Sequence, residues 1–311
     1  LDKNKNLWLG TTSNGIYCLS EDKNLSRPVT KGNITSIYED SSNELWIGSW
    51  EEGLYRVKTD GSIENLRHNP MNTNSLCSNF VRSCCEDNSG DLWIGTFNGL
   101  NRYDRETGQF HLYTANGNSP DGLTHSSIWC IVKDGQGTIW LGDGWNIFRS
   151  ADGGRTFEEM KQFGYAFMRD ILEDKEGNIW VATMGNGVFR YQPQTDETVN
   201  YLHIEGDSTS IGTNEVTGIS EDSKGLLWFS TDRGGLSCFN PQTGTFRTYT
   251  KADGLPDNVT YKAVEDRQHR IWFGTDRGLV CLYPETDSLH VFTRNDGLPD
   301  NQFNYKSALA A

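Results

Sequence analysis

The sequence lacks most of what would mark it as an enzyme or a membrane protein. No apolar run approaches the ~18 to 20 residues that a transmembrane helix needs, and Leu1–Gly10 does not read as a signal peptide. There is no H-E-x-x-H, no G-x-S-x-G, no G-x-x-x-x-G-K-[ST] and no C-x-x-C. Basic residues are scarce: 28 Lys and Arg face 42 Asp and Glu, a net charge of −14 and a pI near 4.9. That balance argues against a nucleic-acid partner, because neutralising phosphates takes clustered cations. Hydrophobic residues make up only 35% of the 311, low enough to suggest disorder. The aromatic content argues the other way: 12%, with ten Trp, alongside 33 Gly.

Those residues are periodic. A Leu/Ile-Trp dipeptide recurs with Trp at 8, 46, 93, 140, 180, 228 and 272, at spacings of 38, 47, 47, 40, 48 and 44 residues. Spacings of roughly 40 to 50 are those of a four-stranded propeller blade. Six residues before each Trp stands an Asp (2, 40, 87, 134, 174, 222, 266), and two after it a Gly, Ala or Ser. The Asp is expected to open a tight turn by accepting backbone N–H groups. The Trp should be buried between blades, with the small residue leaving room for the neighbouring sheet. Each repeat reads as four short strands with a period near two. The first repeat lacks an innermost strand, whereas Leu298–Ala308 is an extra one, opening with a Leu-Pro-Asp-Asn that also occurs at 255–258. The expectation is a single all-β domain over 1–311, a closed seven-bladed β-propeller of four-stranded blades in which 298–311 completes the N-terminal blade.

The segment Gly90-Asp91-Leu92-Trp93-Ile94-Gly95-Thr96-Phe97-Asn98-Gly99-Leu100-Asn101-Arg102-Tyr103 resembles the two-component regulator propeller repeats of bacterial periplasmic sensors, and the resemblance runs along essentially the whole chain. It implies the extracytoplasmic sensor of a hybrid histidine kinase that responds to an oligosaccharide and regulates polysaccharide-utilisation genes through a phosphorelay. It further implies adjoining propeller and β-sandwich domains, a homodimeric intact sensor, a periplasmic location, and membrane attachment only through segments outside this chain. The domain itself is then non-enzymatic. A propeller glycosidase or lyase, or a pure docking scaffold, are the alternatives.

Ser150-Ala151-Asp152-Gly153-Gly154-Arg155-Thr156-Phe157 resembles an Asp-box, a hairpin that stabilises sialidase blades without catalysing anything. The seven Cys, unpaired by position, read as free thiols. No cofactor or metal is expected, and the Asp-Gly turns lack the carboxylate ladder of a calcium loop. Ligand binding is expected on the face carrying the loops after the Trp strands and the connections between blades. Its candidates are Trp50, Phe97, Trp129, Trp145, Tyr165, Arg169, Arg233, Tyr261, Arg277 and Tyr305, with His125, Phe167, Asn258 and Phe303 nearby. Rings cover the apolar faces of sugars and polar groups bond their hydroxyls. The structural reading of the same residues is packing against the next blade, with Arg233 and Arg277 paired to Asp232 and Asp276. Acids available to an enzyme on this face are Glu51, Glu52, Asp143 and Glu215.

Overall fold

A computed structural model describes residues 7–11, 15–19, 29–113, 123, 127–298 and 301–308. Among them, strands account for nearly all regular structure, beside three single-turn 3₁₀ helices. Repeat one supplies β1 (Leu7–Thr11) and β2 (Ile16–Leu19). Repeat two forms β3 (Ile34–Glu39), β4 (Leu45–Ser49), β5 (Leu54–Val57) and β6 (Ile63–Leu66). Repeat three forms β7 (Val81–Glu86), β8 (Leu92–Thr96), β9 (Gly99–Asp104) and β10 (Gln109–Tyr113). In repeat four come β11 (Cys130–Lys133), β12 (Ile139–Gly142), β13 (Ile147–Ser150) and β14 (Glu158–Glu159). Repeat five follows with β15 (Phe167–Glu173), β16 (Ile179–Met184), β17 (Val188–Gln192) and β18 (Glu197–Tyr201). Repeat six holds β19 (Val216–Glu221), β20 (Leu227–Thr231), β21 (Leu236–Asn240) and β22 (Thr245–Tyr249). Repeat seven ends with β23 (Val264–Glu265), β24 (Ile271–Thr275), β25 (Gly278–Tyr283) and β26 (Ser288–Phe292), before β27 (Phe303–Ala308).

Repeats two to seven each make one antiparallel four-stranded sheet in simple up-and-down order. The chain is thus an all-β propeller with six four-stranded blades among the described residues, not the seven expected. Repeat one differs: among the described residues its sheet has three strands in the order β2-β1-β27. The extra C-terminal strand does pair with the N-terminal one, Thr11 facing Phe303 and Leu9 facing Ala308. First strands neighbour one another in turn, from β27 through β3, β7, β11 and β15 to β19.

The Asp–Trp pattern has a larger physical cause than turn formation alone. In all six four-stranded blades the Trp indole donates to the Asp Oδ2, at 2.6 to 2.9 Å. The Oδ1 meanwhile accepts two turn amides, as Asp134 does from Gln136 and Thr138. A buried indole N–H therefore has an acceptor, and the turn is locked to the strand it precedes. The rings are inserted between blades as expected: Trp46 meets Tyr103, Trp140 meets Tyr191 and Trp180 meets Phe239, each ring from the following repeat. Third-strand arginines cover the indoles, Arg56 over Trp46 at 5.1 Å and Arg102 over Trp93 at 5.7 Å. The small residue after Trp is needed too. A Cβ on Gly95 would stand 2.7 Å from Ile128 of the next blade, and one on Gly274 2.6 Å from Phe303.

The Leu-Pro-Asp-Asn echo also has a structural basis. Thr250 and Thr293 each cap a 3₁₀ turn with a reciprocal Asp, Asp253 and Asp296. Asn258 and Asn301 then accept the amides of Lys251 and Arg294 at 2.8 Å, fixing the entry to the next first strand.

Candidate functional site

The site is built from a recurring irregularity of the first strands. Pairing slips by one residue between Ile34 and Ser36, Val81 and Ser83, Met168 and Asp170, and Val216 and Gly218. Such a bulge bends the strand and re-aims one side chain. The displaced residues are Thr35, Arg82, Arg169 and Thr217, each five positions before a turn Asp. Trp129 and Tyr261 occupy the same position in repeats four and seven, donating their amides to Gly142 and Gly274. Hydrogen bonds tie the loops after the second strands to the connections entering the blades, as from Trp50 N to Asn33 O and from Phe97 N to Phe80 O. Both sets of segments therefore share one face, as the sequence predicts.

On that face repeats two to five carry a continuous band of rings and guanidinium groups. Phe97 packs on Phe80 (6.2 Å) and Phe80 edge-on against Trp50 (5.6 Å). Arg82 lies between two indoles, its guanidinium carbon 3.9 Å from the centre of Trp50 and 3.8 Å from that of Trp129. Arg169 stands over Trp129 at 5.3 Å. Phe167 touches both Trp129 (4.7 Å) and Trp145 (5.3 Å), and Trp145 stacks on Tyr165 at 4.8 Å with planes 4° apart. The ends of the band are open to solvent: Tyr165 is 68% exposed, Phe97 48% and Trp145 39%. Burial and the neighbouring Arg169 charge push the Arg82 guanidinium down to about 9.

Five sequence candidates, Trp50, Phe97, Trp129, Trp145 and Tyr165, thus join with Arg169 in one surface. The others stand apart from it. Arg233 pairs loosely with Asp232 at 3.7 Å. Arg277 pairs with Asp257 at 3.4 Å and not with Asp276, which instead takes the Tyr261 hydroxyl and the Gln302 amide (3.3 Å). Tyr261 is consequently buried. Tyr305 is part of β27, but its side chain and all of His125 lie outside the described residues. Arg82 and Phe80 are the members that loop-by-loop reading misses, because Arg82 is within a strand. The signal was present as a register: positions five before the turn Asp read Thr, Arg, Trp, Arg, Thr, Tyr.

Two of the four acids on this face, Asp143 and Glu52, are engaged in structure. Asp143 accepts the amides of Trp145 and Asn146, and Glu52 pairs with Arg67. No cluster of three His, Cys, Asp or Glu able to hold a metal occurs among the described residues. The Asp-box is as the sequence suggests. Asp152 accepts from Ser150, Arg155 and Thr156, and Gly154 passes so close to Trp93 that a Cβ would collide with the ring. All seven cysteines are free thiols. Among the described residues no helix is long and apolar enough to cross a membrane.

Comparison with known proteins places the repeat. The two-component regulator propeller family matches six segments, residues 28–51, 75–98, 122–145, 163–185, 210–233 and 254–277. No curated protein sequence matches the chain. The structure is similar to the extracellular domain ascribed to the hybrid two-component system BT3049 of B. thetaiotaomicron, with a TM-score of 0.59 and 23% identity over 97% of this chain. The chain spans 46% of that domain's length. It is also similar to virginiamycin B lyase of Staphylococcus aureus, with a TM-score of 0.63 and 15% identity over 83% of each chain. A third likeness is to PorZ, a surface component of the type-IX secretion system of Porphyromonas gingivalis, with a TM-score of 0.60 and 19% identity over 80% of this chain and 38% of that one. These identities speak for a shared propeller fold; the repeat itself is what carries the relationship. The chain belongs to the two-component regulator propeller family, six of its blades bearing that repeat.

Proposed function

We propose that this propeller is an extracytoplasmic sensor domain of a hybrid two-component signalling protein and that its aromatic–arginine face binds an oligosaccharide. The three-stranded sheet joining the chain ends is taken as the seventh blade of the ring, so that the face surrounds one channel mouth. The observation that carries the reading is the run of rings from Phe97 to Tyr165, partly open at both ends and interleaved with arginine. Sugars present apolar faces to rings and hydroxyls to polar groups, which is what such a band offers. The similarity to a two-component extracellular domain supports the sensory role and a periplasmic location.

A ligand shifts signalling only by binding one arrangement of the sensor better than another. Blades locked by buried Trp–Asp pairs favour reorientation of adjoining domains or a second subunit over movement within the ring. The enzyme reading has less support, since Asp143 and Glu52 on this face are already committed to turn amides and an ion pair. The lyase likeness concerns the fold alone.

The test is a thermal-shift screen of the domain against neutral and acidic glycan fragments, repeated with Trp50→Ala and Trp145→Ala. A shift that both substitutions abolish supports the reading. No shift with any glycan assigns the face to docking of a neighbouring domain, where Trp, Tyr and Arg are equally at home.

A further inference from the structure

One charge in the aromatic band is left unanswered. Arg82 Nε is buried without a hydrogen-bond acceptor. Among the described residues no carboxylate lies within ion-pair distance of its guanidinium, and its contacts are the faces of Trp50 and Trp129. Indole faces attract a cation but offer no acceptor to its five N–H groups. Among the described residues the two terminal nitrogens take no acceptor, and neither is a buried orphan atom as Nε is, which leaves them open to an incoming group.

Arginines elsewhere in the blades are treated differently. Arg56 pairs with Glu44 at 2.6 Å, Arg102 with Asp91 at 2.7 Å and Arg270 with Asp266 at 2.6 Å. Around Trp129, a chain of net charge −14 places two arginines, Arg82 at 3.8 Å and Arg169 at 5.3 Å from the ring centre. Asp170, next to Arg169 on β15, accepts from Lys262 (3.3 Å) and from the Ile219 amide (3.1 Å). Arg82, re-aimed by the bulge in its strand and pinned between two indoles, is organised for an anion before it arrives, and its planar fork suits carboxylate and sulfate geometry.

We propose that Arg82, backed by Arg169, forms an anion subsite that receives the carboxylate or sulfate ester of an acidic sugar residue. This deepens the oligosaccharide reading above and rests on it. The faces of Trp50 and Trp129 toward Arg82 are occupied by its guanidinium, so the adjoining sugar rings are stacked by the open aromatics, Trp145, Tyr165 and Phe97.

The test is an NMR titration of the intact domain, isotope-labelled at arginine, with Arg82→Lys assigning the Arg82 Nε–H signal by its disappearance. The probes are trigalacturonate, trimannuronate, a sulfated galacto-oligosaccharide, the neutral galactotriose and inorganic sulfate. The expected result is that a uronate or sulfated oligomer moves the Arg82 signal while the neutral one does not. Loss of one charge-assisted contact in Arg82→Met should then weaken acidic-oligomer binding about tenfold or more. The shift in the unsubstituted protein stands as evidence even if Arg82→Met folds poorly. Neutral oligomer binding that depends on Trp145 with a still Arg82 signal overturns the anion subsite and leaves the glycan reading intact. An unmoved signal with every probe and no binding overturns both. Inorganic sulfate binding as tightly as any acidic sugar overturns the sugar assignment.

Discussion

The indole N–H of Trp140 donates to Asp134 Oδ2 at 2.8 Å, while Asp134 Oδ1 holds the amides of Gln136 and Thr138. One carboxylate therefore fastens a turn, a strand and an interblade ring. Asp134→Ala strands a buried indole donor and loosens the turn, at a cost of about 1 to 3 kcal/mol on the scale of unsatisfied buried groups. Asp134→Asn, which keeps one carbonyl acceptor, should cost less. Urea denaturation of the two variants checks the order, and equal loss would show that the charge, not the acceptor geometry, matters.

Close approach at the Trp strand gives a second prediction. Gly95→Ala places a methyl 2.7 Å from Ile128 Cγ2, whereas at Gly218 the nearest atom to an added Cβ is 3.6 Å away. Overpacking at Gly95 should destabilise by about 1 to 3 kcal/mol. Gly218→Ala should be nearly neutral, and melting temperatures of the pair decide the matter.

The open end of the aromatic band predicts a separation of stability from binding. Tyr165 and Trp145 stack on each other in solvent. Alanine at either should change folding stability by less than about 1 kcal/mol. Glycan binding should fall by about tenfold, the equivalent of 1.4 kcal/mol. Calorimetric titration alongside thermal melting reads both quantities in one preparation.

Asp152 predicts a pH response confined to the Asp-box. The Thr156 amide (3.0 Å) and hydroxyl (2.7 Å), then the Ser150 hydroxyl (2.8 Å), hold its carboxyl down at about 2 from an ordinary 3.8. A carboxyl depressed in the folded state stabilises above its unfolded pKa and loses that contribution as pH falls through the folded value. The hairpin should therefore be fully held above pH ~4 and released toward pH 2. An NMR titration of Asp152 with a midpoint near 3.8 would contradict the hydrogen-bond assignment.

Phe303 is the anchor of the closing strand, 3% exposed and packed with Tyr261 and Leu279. Phe303→Ala should cost about 3 to 5 kcal/mol, the range for a large buried ring. Chemical denaturation monitored by Trp fluorescence measures it. A loss below 1 kcal/mol would mean that β27 contributes little to closure.

Much of the fold was legible because it repeats. Asp six before Trp and Gly two after it mark, in one dimension, a hydrogen bond and a clearance that recur in space. Closure of repeat one by the C-terminal strand was legible too, but among the described residues its sheet has three strands in place of four. The site was half legible. Trp50, Trp145 and Tyr165 stood out as aromatics without a place in the repeat, but Arg82 looked like an ordinary strand residue. Only the one-residue slip between Val81 and Ser83 turns it toward the mouth, and a slip leaves no mark in composition. Arg277 misled for a related reason: sequence adjacency suggested Asp276, while the loop brings in Asp257.

The pairing of β1 with β27 has a kinetic consequence. Every other described strand pairs with one close to it in sequence, so blades form from local hairpins with little loop entropy to overcome. Thr11 and Phe303 meet only after nearly the whole chain is in place. Ring closure is then the single long-range event of folding, the step on which the rate should depend.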